Sequence, residues 1–324
     1  MTRAAAMLAL LLAAGCAAPV TVAAPPPRAV DVFPPGTDLT PEGPAEADTS
    51  CDPRAGSLSP RGQLPRPGEM PPGTTMARIQ ARGRLIAGVD QNLNLFGSRH
   101  PHTGVVEGFD IDIVREIAAA ILGDPDKVQF RAVNFTNNIS VVQSGEVDIV
   151  ADSMTITCAR LADIGMTSDY FDSGQRVLVP KASTVDEIDD LAGQKVCAPS
   201  KTTSIKVIAE RPVQPPLLPV GVAEWTDCLV LLQQGQVAAV STTDSVLIGL
   251  RAQDPTMKIV GPRFTDEPHG LAVGKGEDEF LRFVNGVLER MRQDGTWTRL
   301  HKKWLADLGP AVPPVARYRD QGAP

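Results

Sequence analysis

The sequence predicts an α/β protein built from two lobes, and three observations lead to it. From Arg84 onward, short apolar runs alternate with amphipathic stretches, the texture of strands joined by helices in a largely parallel sheet. That alternation starts afresh at Arg176, giving two such sets. The 324 residues, 43% of them hydrophobic and 21% charged, also exceed the roughly 150 residues of an average single domain.

In the first set, Leu85-Ile86-Ala87-Gly88-Val89 reads as a strand followed by a Gly/Asn-rich loop. Gly108-Phe109-Asp110-Ile111-Asp112 then leads into a helix. Val114, Ile117, Ala118 and Ile121 fall at i, i+3, i+4 and i+7, so one face of that helix is buried. Val128-Gln129-Phe130 is a second strand, 138–143 a short helix and Val147-Asp148-Ile149-Val150 a third strand. The second set opens with a strand at 176–179 and continues with a strand at 194–198, helices at 204–210 and 228–233, and a strand at 238–241. Residues 271–273 return to strand. Phe280, Val284, Val287, Leu288 and Met291 then share one helical face, and Trp297, Leu300, Trp304 and Leu305 follow the Asp294-Gly295 break. No fixed-period repeat is present, which argues against a solenoid.

The ends of the chain differ in character. An apolar run from Ala4 to Ala14 follows Arg3 and closes on Gly15-Cys16, the layout of a secretory signal over 1–15 and about half the length a bilayer span requires. Small residues immediately before a cysteine resemble a bacterial lipobox. Cys16 would then be the lipidated first residue of the mature chain, anchored at the extracytoplasmic face of the cell membrane; a plain cleaved signal is the alternative. Residues 16–75 hold 14 of the 29 prolines and read as an extended tether, with order beginning near Cys51. Residues 310–324 read as a short fraying tail.

With 31 Lys+Arg against 38 Asp+Glu, the net charge is −7 and no basic stripe is present to neutralise phosphates, so nucleic-acid binding is excluded as a function class. Export allows disulfides, and apart from Cys16 four cysteines remain, which three connectivities could pair. Cys197 and Cys228 fall in one predicted domain, leaving Cys51 to tie the start of the folded region to Cys158; four buried free thiols are the alternative. No CxxC spacing points to a metal, and only His100 and His102 of the four histidines are close together. No cofactor is expected.

Five segments in order carry a family resemblance: Glu107-Gly108-Phe109-Asp110-Ile111-Asp112-Ile113, Gly145-Glu146-Val147-Asp148-Ile149, Met154-Thr155-Ile156-Thr157-Cys158-Ala159-Arg160 with Asp169-Tyr170-Phe171, Asp190-Leu191-Ala192-Gly193-Gln194-Lys195-Val196, and Asp294-Gly295-Thr296-Trp297. Together they resemble the type 2 periplasmic binding proteins, in the polar amino-acid group, over about 83–308. Leu95-Phe96-Gly97-Ser98-Arg99, the Cys197/Cys228 pair and the lipobox look most like actinobacterial glutamine- or glutamate-binding lipoproteins. The resemblance implies two lobes joined by two crossover strands, lobe 1 being 76–175 with 268–309 and lobe 2 being 176–267. A ligand cleft would lie between them and close by a hinge motion. It also implies a binding protein rather than an enzyme, presenting glutamate, aspartate or their amides to an ABC permease. A receptor subunit for a membrane sensor and a dehydratase-like enzyme on the same fold are the alternatives. GxSxG, P-loop, HExxH and GxGxxG patterns are absent, and Glu107 with Asp112 fits a helix entry better than a catalytic pair.

A free amino acid is a zwitterion, and burying either charge without a partner is costly. By the resemblance, Arg160 grips the α-carboxylate with its planar fork. Thr155 and the backbone of Ser153 meet the ligand from the strand end. From lobe 2, Thr202, Thr203 and Ser204 at a helix start suit an anion, although Pro199-Ser200-Lys201-Thr202-Thr203 stands where the family usually has glycines. The ammonium normally meets an aspartate on the lobe 2 strand end. Thr243 occupies that position here, so the neighbouring Asp244 is the expected partner, with Asp90 the other candidate. Phe135 is expected to pack over the ligand. Arg99 would bind a second carboxylate and favour glutamate or aspartate, whereas Asn92 and Asn94 would suit an amide.

Overall fold

The computed structural model describes residues 33–43 and 51–321, so the signal segment and Cys16 lie outside the described residues. Lobe 1 starts with helix α1 (Thr75–Arg82), which Thr74 caps by accepting from Ala77 N and which Gly83 ends with φ +77°. Strand β1 (Leu85–Val89) follows, and the stretch read as a loop proves to be a three-stranded hairpin sheet of β2 (Asn92–Leu93), β3 (Gly97–Arg99) and β4 (Val106–Glu107). Helix α2 (Phe109–Leu122) buries Val114, Ile117, Ala118 and Ile121, the face its spacing predicts. Then come β5 (Val128–Ala132), α3 (Asn138–Gln143), β6 (Ile149–Ala151), the six-residue α4 (Cys158–Asp163), β7 (Gly165–Met166) and β8 (Phe171–Ser173).

The chain crosses into lobe 2 with β9 (Gln175–Pro180) and continues through β10 (Lys195–Pro199), α5 (Thr203–Glu210), β11 (Leu218–Val222), α6 (Trp225–Gln233), β12 (Ala239–Thr243), α7 (Asp244–Gln253) and β13 (Met257–Val260). It returns through β14 (Glu267–His269) and closes lobe 1 with β15 (Ala272–Val273), α8 (Asp278–Gln293) and α9 (Thr296–Trp304). Lobe 1 is a five-stranded sheet in the order β5-β1-β6-β15-β7, and lobe 2 a five-stranded sheet in the order β11-β10-β12-β9-β13. The first three strands of each order run parallel, and the fourth, β15 in lobe 1 and β9 in lobe 2, runs antiparallel to its neighbours on both sides. The two crossovers, β8 and β14, pair with each other in antiparallel fashion, Ser173 opposite Glu267 and Phe171 opposite His269. This is the two-lobe architecture with two crossover strands that the resemblance implies.

Both cysteine pairs named from the sequence are joined, Cys51 to Cys158 and Cys197 to Cys228, with Cα atoms 6.0 and 5.6 Å apart. The proline-rich segment differs from the expected tether. Asp38 forms a two-hydrogen-bond bridge with Gly221 on the edge strand of lobe 2, and 51–64 lie along lobe 1. Asn285, fully buried on α8, donates to Ser57 Oγ at 2.8 Å and to Leu58 O at 2.7 Å, and accepts from Ser168 N at 2.9 Å. The described part of the tail is packed as well: Tyr318 is buried and donates to Glu289, Arg319 N donates to Ser57 O, and Asp320 accepts from Arg282. Proline composition forbids a ladder but not docking. Side chains of the folded lobes satisfy the extended backbone, and that leaves no periodic trace in the sequence.

Candidate functional site

The two lobes meet across a cleft lined from lobe 1 by Phe135, Ser153, Met154, Thr155 and Arg160, from lobe 2 by Thr202, Thr203, Ser204, Trp225, Thr242 and Thr243, and from the crossover by Glu267. The cavity left between these atoms is only about 20 Å³, so the two lobes lie nearly in contact across the cleft. Strand β6 delivers Ser153 in a left-handed conformation, φ +43°, which the buried Asp110 holds by accepting from Ser153 N at 3.0 Å and Ser153 Oγ at 3.2 Å. Asp110 also accepts from the Tyr170 hydroxyl at 2.7 Å; burial pushes its carboxyl up to about 6 against the pull of these bonds.

Arg160 stands on α4, where Thr157 caps the helix by accepting from Arg160 N at 3.2 Å. Its guanidinium donates through Nη1 to Thr155 O at 2.6 Å, leaving the rest of the fork toward the cleft. Burial lowers its pKa, and the nearby charges of Asp152 and Glu267 oppose that shift. Across the cleft, the N-terminus of α5 presents backbone N–H groups, with Thr202 as cap accepting from Ile205 N at 3.3 Å. The preceding loop needs a left-handed residue, and Lys201 takes φ +63° where the family usually has glycine.

Further contacts tie the lobes together. The Phe135 and Trp225 rings meet edge to face with centroids 4.2 Å apart, and Asn134 Nδ2 donates to Glu224 Oε1 at 3.0 Å. Glycine at 249 on α7 lets the Asn94 carbonyl of lobe 1 approach closer than any Cβ would allow. Glu267, 3% exposed, accepts from Thr155 at 2.8 Å and from Thr203 at 3.0 Å, one threonine from each lobe.

The cleft therefore brings together six of the nine residues expected to bind ligand: Arg160, Thr155, Ser153, Phe135, Thr202 and Thr203. The other three are elsewhere. Asp244 opens helix α7 and lies outside the cleft lining, accepting from Arg263 Nε at 2.5 Å and Ser173 Oγ at 2.7 Å. Arg99 is exposed and donates to Gln91 Oε1 at 2.8 Å and Gly104 O at 2.5 Å within the hairpin sheet. Asp90 is buried beneath the hairpin sheet rather than in the lining, with one oxygen on Asn92 N at 2.7 Å and the other partnerless. Burial pushes Asp90 up to about 7, with the charge of Glu224 adding to the rise. Asp152, next in the chain to Ser153, is likewise raised well above its ordinary value by burial, and by the Asp90 charge; one of its oxygens is also partnerless.

Two lining residues carry chemistry that motif reading missed. Trp225 opens α6 three residues before the predicted start, and its buried indole N–H has no partner. Glu267 sits at the lobe boundary, outside every family segment. Among the described residues, no group of three or more His, Cys, Asp or Glu is placed to hold a metal ion, and no helix is long and apolar enough to cross a membrane.

The sequence pattern of the bacterial extracellular solute-binding proteins, family 3, matches residues 85–307. The chain belongs to this family. The solute-binding protein is 34% identical over 234 residues to the ABC transporter glutamine-binding protein GlnH of Bacillus subtilis, covering 72% of this chain and 85% of the relative. It is 36% identical over 214 residues to a glutamine-binding protein of Geobacillus stearothermophilus, covering 66% and 81%. Among solved structures, an ancestral arginine-binding protein bound to glutamine matches with a TM-score of 0.63 at 33% identity, covering 69% of this chain and 98% of that one. The matched segment is the two-lobe body. These relatives are named as binding proteins, so the family reading is capture of a solute rather than catalysis.

Proposed function

We propose that this solute-binding protein captures L-glutamine in the interlobe cleft and delivers it to an ABC permease, held at the outer face of the membrane by lipid on Cys16. The observation that carries the amino-acid reading is Arg160, the one cation in the lining among the described residues, facing the α5 N-terminus across the cleft. A guanidinium fork and a helix N-terminus together suit one carboxylate.

The side-chain preference follows from charge. A second carboxylate on the ligand would find no second cation in the described lining, since Arg99 belongs to the hairpin sheet. A carboxamide fits this balance: it carries no charge in need of a counter-ion, and its oxygen suits the partnerless Trp225 N–H in the lining. The Phe135–Trp225 pair offers an apolar wall for the methylenes. The glutamine-binding names of the two relatives support the same choice.

Isothermal titration with L-Gln, L-Glu, L-Asp and L-Asn tests this reading. Glutamine binding at least ten times tighter than glutamate is expected. Absence of heat with all four overturns the reading, and preference for either acid overturns the side-chain part.

A further inference from the structure

We propose that Glu267 supplies the negative half of the amino-acid cage, meeting the ligand ammonium from the crossover strand in place of the lobe 2 strand end. The proposal rests on the amino-acid reading above and names a residue for it. Position 243, where the family normally has aspartate, is threonine, and its hydroxyl is engaged with Ser245 Oγ at 2.9 Å. Threonine cannot neutralise an ammonium. Asp244 is held by Arg263 and does not line the cleft, and neither do Asp90 and Asp152. Among the described residues, Glu267 is therefore the carboxylate that does.

Its surroundings fit a site awaiting a cation. Thr155 Oγ1 and Thr203 Oγ1 donate to Oε2 at 2.8 and 3.0 Å, and Thr265 Oγ1 donates to Oε1 at 2.9 Å. An ionised carboxylate has about four lone-pair directions, so hydroxyls fill three and leave one. Among the described residues, no Lys, Arg or His lies within ion-pair distance of Glu267. This buried carboxylate is bonded directly only to neutral hydroxyls, with Arg160 acting on it from a distance, and a ligand ammonium supplies a directly bonded counter-charge. Arg160 shares the same cleft and its charge interacts with that of Glu267, the juxtaposition an α-amino acid's adjacent charges require. Because Thr155 and Thr203 come from opposite lobes, the Glu267 site is complete only when the lobes meet.

The test is a cycle on the purified soluble chain, titrated with L-glutamine and with 4-carbamoylbutanoate, the same molecule without the amino group. If another amino acid binds more tightly, it and its des-amino analogue take their place. Glu267→Gln keeps the shape and removes the charge. It is expected to weaken L-glutamine by about 100-fold and to bind the des-amino analogue at least as well as the parent does. Adding Thr243→Asp to Glu267→Gln is expected to restore L-glutamine affinity at least tenfold. Glutamine affinity within threefold of the parent in Glu267→Gln, or equal weakening toward both compounds without rescue by Thr243→Asp, overturns the proposal. Failure of the parent chain to bind any amino acid overturns the underlying reading instead, and is seen before any variant is made.

Discussion

Replacing Arg160 with alanine removes the guanidinium from a cleft whose described lining holds no other cation. The protein itself uses one of its donors, Nη1 to Thr155 O at 2.6 Å, so the cost to the fold is one side-chain hydrogen bond, about 1 kcal/mol. The cost to binding is far larger. Truncating one partner of a desolvated, hydrogen-bonded charge pair costs about 2–5 kcal/mol, and at ~1.4 kcal/mol per decade this is a loss of roughly 30- to 4,000-fold in Kd. The upper part of that range is expected, because Asp152 and Glu267 would then face the ligand carboxylate with no nearby positive charge. Titration calorimetry with L-glutamine measures the loss, and circular dichroism with a thermal melt shows whether the fold persists. An intact spectrum with Kd within threefold of the parent would refute the reasoning.

Burial raises Asp90 from its ordinary value to about 7, so its proton favours the folded state below about pH 4 and that contribution fades as pH rises through 7. Asp90→Asn removes the fading: relative to the parent, the variant should gain up to ~1.4 kcal/mol per pH unit between about 4 and 7, read from denaturation at pH 5, 6 and 7, and a pH-independent difference contradicts it. Trp225→Phe keeps the ring against Phe135 but removes the partnerless N–H, so L-glutamine should weaken about tenfold while the melting temperature holds; unchanged affinity argues against the indole as a ligand donor. The double replacement Cys51→Ser with Cys158→Ser opens a loop of 107 residues and should lower unfolding free energy by about 2–5 kcal/mol in chemical denaturation, whereas an unchanged midpoint would mean that the segment holds without it.

The elements legible in the sequence are those that bury a single face. Helix α2 and helix α8 show their 3.6-residue stripe because solvent reaches the other side. Helix α7 went unread because every residue from Asp244 to Leu250 is buried, which erases the period. The hairpin sheet read as a loop because its strands are two or three residues long. At the site, Arg160, Thr155 and Ser153 were legible because one short segment carries all three. Glu267 meets Thr155 from 112 residues away, a closeness created by the antiparallel bridge of Thr155 with His269 at the end of β14. The one available clue was an acidic residue at the lobe boundary, at the start of a strand that leads back into a hydrophobic core. Trp225 was nearer to hand: extending the 228–233 helix back by one turn would have brought it onto α6.

The docking of 33–43 and 51–64 bears on how the molecule should be produced. An expression version trimmed to start at residue 76 would look reasonable from the family match, yet it would leave Cys158 with a free thiol and uncover the outer edge of β11 at Gly221. A lone sulfhydryl and an open strand edge are both routes to covalent and edge-paired dimers. Stock beginning just after Cys16 avoids both faults.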